Sequence, residues 1–299
     1  MSPRTHNIPL PNATGVGTHT IHVRDWGNVD AARTAVCVHG LTRNAQDFSL
    51  LAEALAANGY RVLAPSMAGR GDSAWLTDPM GYTYPAYVTD CLAVMDNFHL
   101  RQVDWVGTSM GGIIGMMLEA QTGRIRKLVL NDIGIHLSAA ALKRIYDYVL
   151  AMPAAFENRE AAETYLRENF ASWGIDDPMH WAMLVEHSLE QHDGKWRYAC
   201  DPRILEPLHA ISENFTKVSD SDLSPLWEEI KIPTFILHGA ASDILTPLTI
   251  NAMRATNPRL RAVTFEGVGH APALMATNQI DPIVDWLLGK NTGMLALGI

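Results

Sequence analysis

The chain repeats one kind of unit: a short run of Val, Ile, Leu and Ala, then a turn, then apolar residues at helical spacing. Residues 34–39 (TAVCVH) stop at Gly40, and 47–57 follow with leucines on one helical face. Residues 60–64 come next and are closed by Pro65; 103–107 lead into 110–121, and 125–130 end the first half. A strand with one wet face alternates apolar and polar residues. These runs are apolar almost without a break, as parallel strands covered on both faces must be. Strand and helix in alternation imply right-handed crossovers and predict an α/β fold, a doubly wound, mostly parallel sheet. Residues 20–25 do alternate and predict an antiparallel strand near the edge.

From Ser138 to about Ile230 the signals are mainly helical, with no convincing buried strand. Residues 139–152 and 159–172 carry helical periodicity, the second with Asn158 as a candidate cap. Pro178 stands where a first helical turn tolerates proline and opens a helix to about Glu190; Pro225 opens a short one ending near Ile230. After Pro233 the alternation resumes with a strand at 234–237, a helix from Pro247, a strand at 262–265 and a helix at 279–288. The simplest organisation is an α/β core of residues 1–134 and 231–299, interrupted by a helical cap at 135–230 that returns to the same sheet. Covers of active sites are commonly built this way. The last ten residues, KNTGMLALGI, are expected to be an untethered tail.

The chemistry concentrates at Gly107-Thr108-Ser109-Met110-Gly111. A bare Gly-x-Ser-x-Gly is common, but here a strand precedes it and a helix follows, so Ser109 falls on a strand-to-helix turn. Such a turn is sharp enough that a side chain at either glycine would collide with its neighbours. It lifts the hydroxyl above the strand ends, where open α/β sheets hold ligands. A serine hydroxyl needs a base, and the base an orienting acid. His270, in the loop Gly267-Val268-Gly269-His270-Ala271-Pro272 after the last clear strand, is the candidate base. Asp243 follows the 234–237 strand and is the preferred acid; Asp132, just past Leu130, is the rival. The backbone amides of Met110, at a helix N-terminus, and Leu41, in the turn His39-Gly40-Leu41-Thr42, are placed to receive a developing oxyanion. His39 itself is expected to shape that turn.

Taken together, the HG turn, the elbow GTSMGG, the acid after HGAASD and GVGHAP around the base make the chain resemble the α/β-hydrolase family over nearly its whole length. The stretch 126–134 (RKLVLNDIG) is similar to bacterial capped members: carboxylesterases, enol-lactone hydrolases and C–C bond hydrolases. The resemblance implies Ser109 as nucleophile, Asp243 as acid, His270 as base and oxyanion amides from Leu41 and Met110, with no cofactor. Pro65-Ser66 departs from relatives that often carry Pro followed by Asp. Serine at the elbow speaks against epoxide hydrolases and haloalkane dehalogenases, which attack with Asp.

Composition sets the remaining bounds. The 299 residues suffice for a sizeable core, and a net charge of −9 with no dense basic block argues against nucleic acid as a partner. No window of about 20 apolar residues predicts a membrane span, and the polar first 17 residues lack a signal peptide's apolar core, so a cytoplasmic protein is expected. Cys37, Cys91 and Cys200 are spaced like buried thiols of a reducing compartment. The histidines form no metal motif, and Arg70-Gly71-Asp72 is expected to be an ordinary glycine-rich loop. His180, His187 and His192, with Met152, Trp173, Met179, Trp181 and Met183, are assigned to the cap. The expected activity is hydrolysis of a small ester or lactone through an acyl-enzyme, without metal or cofactor. The alternatives are C–C bond or enol-lactone hydrolysis, a cofactor-free lyase or perhydrolase, or a ligand-binding protein on the same scaffold. A homodimer is left open.

Overall fold

A computed structural model of the chain describes residues 2–13, 15–211 and 219–290. In chain order the first half comprises β1 (Arg4–Pro11), β2 (Thr18–Trp26), β3 (Arg33–Val38), α1 (Ser49–Ala57), β4 (Tyr60–Pro65), α2 (Tyr84–Asn97), β5 (Val103–Thr108), α3 (Met110–Thr122) and β6 (Ile125–Asn131). The middle holds β7 (His136–Leu137), α4 (Ala139–Leu150), α5 (Arg159–Phe170), α6 (Pro178–Ser188), β8 (Leu189–His192), β9 (Lys195–Tyr198), α7 (Glu206–Ile211), β10 (Ser221–Asp222) and α8 (Ser224–Glu228). The chain then returns through β11 (Thr234–Gly239), α9 (Pro247–Thr256), β12 (Arg261–Phe265) and α10 (Thr277–Leu288).

Eight strands form one sheet in the order β1-β2-β4-β3-β5-β6-β11-β12. β1 and β2 are antiparallel to their neighbours and the rest run parallel. Period-two alternation splits each central strand between two cores. On β3, Val36 and Val38 join one cluster while Ala35 and Cys37 join the other; on β6, Leu128 and Leu130 oppose Val129. The first face packs on α2 and α3 (Val94, Ile114) and the second on α1 and α10 (Leu51, Ile283). Both faces are therefore covered, which is why the runs read as unbroken apolar stretches. Cys37, Cys91 and Cys200 are free and buried, as expected.

Three features differ from the sequence expectations. The polar N-terminal stretch contains β1, which pairs along its length with β2 and turns only Ile8 and Leu10 into the core. A helix, α2, lies between β4 and β5, capped by Thr83 with Pro85 in its first turn. The middle segment is not purely helical: β8 and β9 form a hairpin, and β7 pairs antiparallel with β10. That last pair clips together the two ends of the segment that leaves the sheet after β6 and rejoins it at β11. Asn158 does cap α5 by accepting from the Ala161 amide, and Pro178 does open α6. The expected tail beyond Lys290 lies outside the described residues. Among those described, no helix is long and apolar enough to cross a membrane.

Candidate functional site

Ser109 stands between β5 and α3 with φ +50° and ψ −112°, a left-handed backbone that a residue with a Cβ adopts only under strain. The neighbouring glycines make the turn possible. A Cβ on Gly107 would stand 2.3 Å from the Gly111 backbone, and one on Gly111 would stand 2.0 Å from the Val38 carbonyl. The Ser109 amide donates to the Asn131 carbonyl (3.0 Å), which ties the turn to the end of β6.

His270 and Ser109 meet as expected: the Ser109 hydroxyl donates to His270 Nε2 over 2.9 Å. The acid that completes the chain is Asp132, not Asp243. His270 Nδ1 donates to Asp132 Oδ2 over 2.8 Å, and an ionised carboxylate can only accept, so the proton sits on Nδ1 and the lone pair on Nε2 faces the serine. Asp132 is fully buried one residue beyond β6, with φ +54°. Its other donors come from the end of β11 and the loop beyond: the Gly239 amide to Oδ1 (2.8 Å) and the Ser242 hydroxyl to Oδ2 (2.5 Å).

Asp243 is turned away from this cluster. Its carboxylate accepts two hydrogen bonds from Arg144 on α4 (2.5 and 2.7 Å) and is half exposed. Burial alone would raise its pKa, but Arg144, helped by a backbone hydrogen bond and by the charge of His270, holds it below the usual carboxylate range. The physical reason for the correction is local. Ser242 takes the inward direction, accepting from the Ile244 and Leu245 amides while donating to Asp132, so the next side chain points outward.

The turn after β3 abuts Ser109: a Cβ on Gly40 would lie 3.9 Å from that of Ser109. The Gly40 carbonyl accepts from His39 Nδ1 (2.7 Å) and from the Arg43 amide (3.2 Å). Because the peptide is planar and trans, the Leu41 N–H points the opposite way from that held carbonyl. The Leu41 carbonyl is held in turn by Arg70 Nε (2.9 Å). Met110 opens α3, so its amide has no partner within the helix. His39 is buried and accepts from the Met67 amide through Nε2; desolvation lowers its pKa to about 3, leaving it neutral. It shapes the turn, as its position suggested.

Residues that sequence reasoning had not assigned to the site come from the middle segment. The 3-10 turn Ala171–Trp173 holds the His270 loop at three points. Gly269 N–H donates to Ser172 O (2.6 Å), Ala273 N–H to Trp173 O (3.1 Å) and Trp173 Nε1–H to His270 O (2.9 Å). Asn131 Nδ2 bridges Thr108 Oγ1 and Pro272 O from the sheet side. Trp173 is one of the cap residues expected mostly to fill the cap core, with one or two of them lining an acyl pocket, and no spacing rule links it to a loop about a hundred residues away. Among the described residues no group of His, Cys, Asp or Glu is gathered as a metal ion would need.

Comparisons with known proteins identify the family and the fold. A family profile described as "Alpha/beta hydrolase family" matches residues 35–283. A 3-hydroxybutyrate-oligomer hydrolase of Cupriavidus necator is 36% identical over 88% of this chain and 91% of its own. A crystal structure of a Rickettsia typhi hydrolase superposes with a TM-score of 0.86 at 33% identity, covering 97% of this chain and all of that one. An alpha/beta hydrolase of Novosphingobium aromaticivorans gives 0.82 at 32% identity, over 96% and 99% of the two chains.

Proposed function

This chain belongs to the alpha/beta hydrolase family, and from that premise we propose that it is a serine hydrolase cleaving carboxylic esters through an acyl-enzyme. The observation that carries the proposal is the unbroken chain Ser109 Oγ–His270–Asp132 at 2.9 and 2.8 Å. His270 Nε2 takes the Ser109 proton as Oγ attacks the ester carbonyl, and Asp132 stabilises the imidazolium that forms. The tetrahedral oxyanion sits on the amides of Leu41 and Met110. His270 then protonates the leaving alcohol, and a water deprotonated by the same nitrogen releases the acid. Residues 135–230 act as the cap, since their 3-10 turn is bonded to the base's loop.

The similarity to a 3-hydroxybutyrate-oligomer hydrolase favours short hydroxy-acid oligoesters as the substrate class. The test is a fluorophosphonate label together with a panel of simple aryl esters, 3-hydroxybutyrate dimers and trimers, lactones and vinylogous diketones. Labelling at Ser109, turnover of esters and a loss of about 10⁴-fold or more in Ser109→Ala are expected. No labelling, or full activity in Ser109→Ala, defeats the serine mechanism; turnover of the diketones alone would move the reaction to C–C bond hydrolysis.

A further inference from the structure

Arg70 is fully buried, yet among the described residues no carboxylate is bonded to it. Its guanidinium donates through Nε to the Leu41 carbonyl, through Nη1 to the Ala68 carbonyl and the Tyr87 hydroxyl (2.7 Å each), and through Nη2 toward the Met110 thioether (3.8 Å). It also lies over the rings of Tyr82 and Tyr87. Every one of these partners is neutral. The Cys200 thiol also lies against the guanidinium, but burial pushes it up to about 12, and burial raises the Tyr87 phenol as well, so neither supplies an anion. The other buried arginines differ: Arg43 is clamped by Asp47, and Arg61 by Asp25. An isolated buried cation is strongly unfavourable unless something compensates it.

The residues that Arg70 reaches on the site side are Leu41 and Met110, the two whose amides serve the oxyanion. We propose that Arg70 is a positioning residue that gives the oxyanion hole a fixed positive charge, fastening Leu41 by its carbonyl and standing behind Met110. The inference rests on the serine-hydrolase reading above. Arg70 exchanges no proton. Its charge is met only when the carbonyl oxygen becomes an anion, so it favours the transition state over bound ester and acts on kcat rather than KM. The loop is pinned for this role, because Gly71 N–H donates to Ala199 O and Asp201 N–H to Gly69 O, both in the middle segment.

Three variants test it on an aryl ester. Arg70→Gln is expected to lower kcat about ten- to a hundredfold at nearly constant KM, less than loss of a direct oxyanion donor. Arg70→Lys keeps the charge and should recover part of that loss. Cys200→Asp leaves Arg70 in place but supplies a counter-ion, and in the folded variant should lower kcat about tenfold. A reversible boronate, whose tetrahedral adduct on Ser109 is anionic, should lose affinity in the same order. Wild-type kcat in a folded Arg70→Gln or in Cys200→Asp overturns the proposal, as does an equal loss in the Lys and Gln variants. If Arg70→Gln does not fold, a folded Cys200→Asp decides, and if neither folds the kcat and boronate affinity of Arg70→Lys decide: an unchanged value in both overturns the proposal. Wild-type fluorophosphonate labelling comes first: its absence defeats the serine-hydrolase reading, whereas labelling with unaffected variants defeats only the role of Arg70.

Discussion

Asp132 holds its carboxylate with donors from three places: the His270 ring, the Gly239 amide and the Ser242 hydroxyl. Those donors fill the lone pairs of the carboxylate, and the same filling fixes the imidazole tautomer. Replacing Asp132 by Asn would place an N–H where acceptors are needed and turn the imidazole to the wrong tautomer. We expect Asp132→Asn to lower kcat by about 10³- to 10⁴-fold. Asp243→Asn should stay within about twofold, since it breaks only a surface pair with Arg144. Comparable losses in the two variants would contradict this assignment. The meeting of Ser109 and His270 was legible in the sequence because glycines and proline mark both loops. The carboxylate that joins them was not, because Asp243 follows a strand as a candidate acid should and only side-chain direction separates it from Ser242. Asp132 bore a weak mark, standing directly after a run of buried residues.

The 3-10 turn Ala171–Trp173 is the element that couples the middle segment to the His270 loop. Its three hydrogen bonds run to backbone on both sides of His270 and to His270 itself, while Trp173 packs on Phe170 (4.2 Å between ring centroids) and the Arg43 guanidinium lies against both rings. Trp173→Phe removes the donor to the His270 carbonyl and keeps a ring in the stack. One such bond is worth about 1 kcal/mol, so kcat should fall roughly fivefold with KM little changed. An unaltered kcat would mean that the loop is held by its remaining contacts. Contacts of this kind are not written in periodicity, which reports the face an element buries and not its partner. The elements themselves were legible to different degrees. Central strands showed as apolar runs, but β1 has only Ile8 and Leu10 facing inward, too few to stand out from its polar neighbours. The β8–β9 hairpin did carry a signal: Asp193-Gly194 at its turn, both with positive φ, are the residues such a turn requires.

At the scale of the whole molecule, the buried neutral histidine of the turn after β3 ties stability to pH. His39 has a folded pKa of about 3 against an ordinary 6.5 because desolvation disfavours its charged form. Below pH 6.5 the unfolded chain therefore binds a proton that the native protein refuses. Its contribution is fully present above pH 6.5 and is lost as the pH falls toward 3, at about 1.4 kcal/mol per unit, or roughly 2 kcal/mol by pH 5. His22 and His187, also lowered by burial, act in the same direction. The net charge of −9 works the other way, because approaching the isoelectric point near 5.7 relieves self-repulsion. A comparison with one variant separates the two effects. Urea unfolding of the wild type and of His39→Gln between pH 7.5 and 4 shares the global term, so their difference isolates the single proton. His39→Gln should be less stable at pH 7.5, having lost one of the bonds to Gly40 O and Met67 N, yet its stability should decline less steeply below pH 6.5. Parallel curves across that range would show that His39 is not the neutral, proton-refusing group that its burial requires.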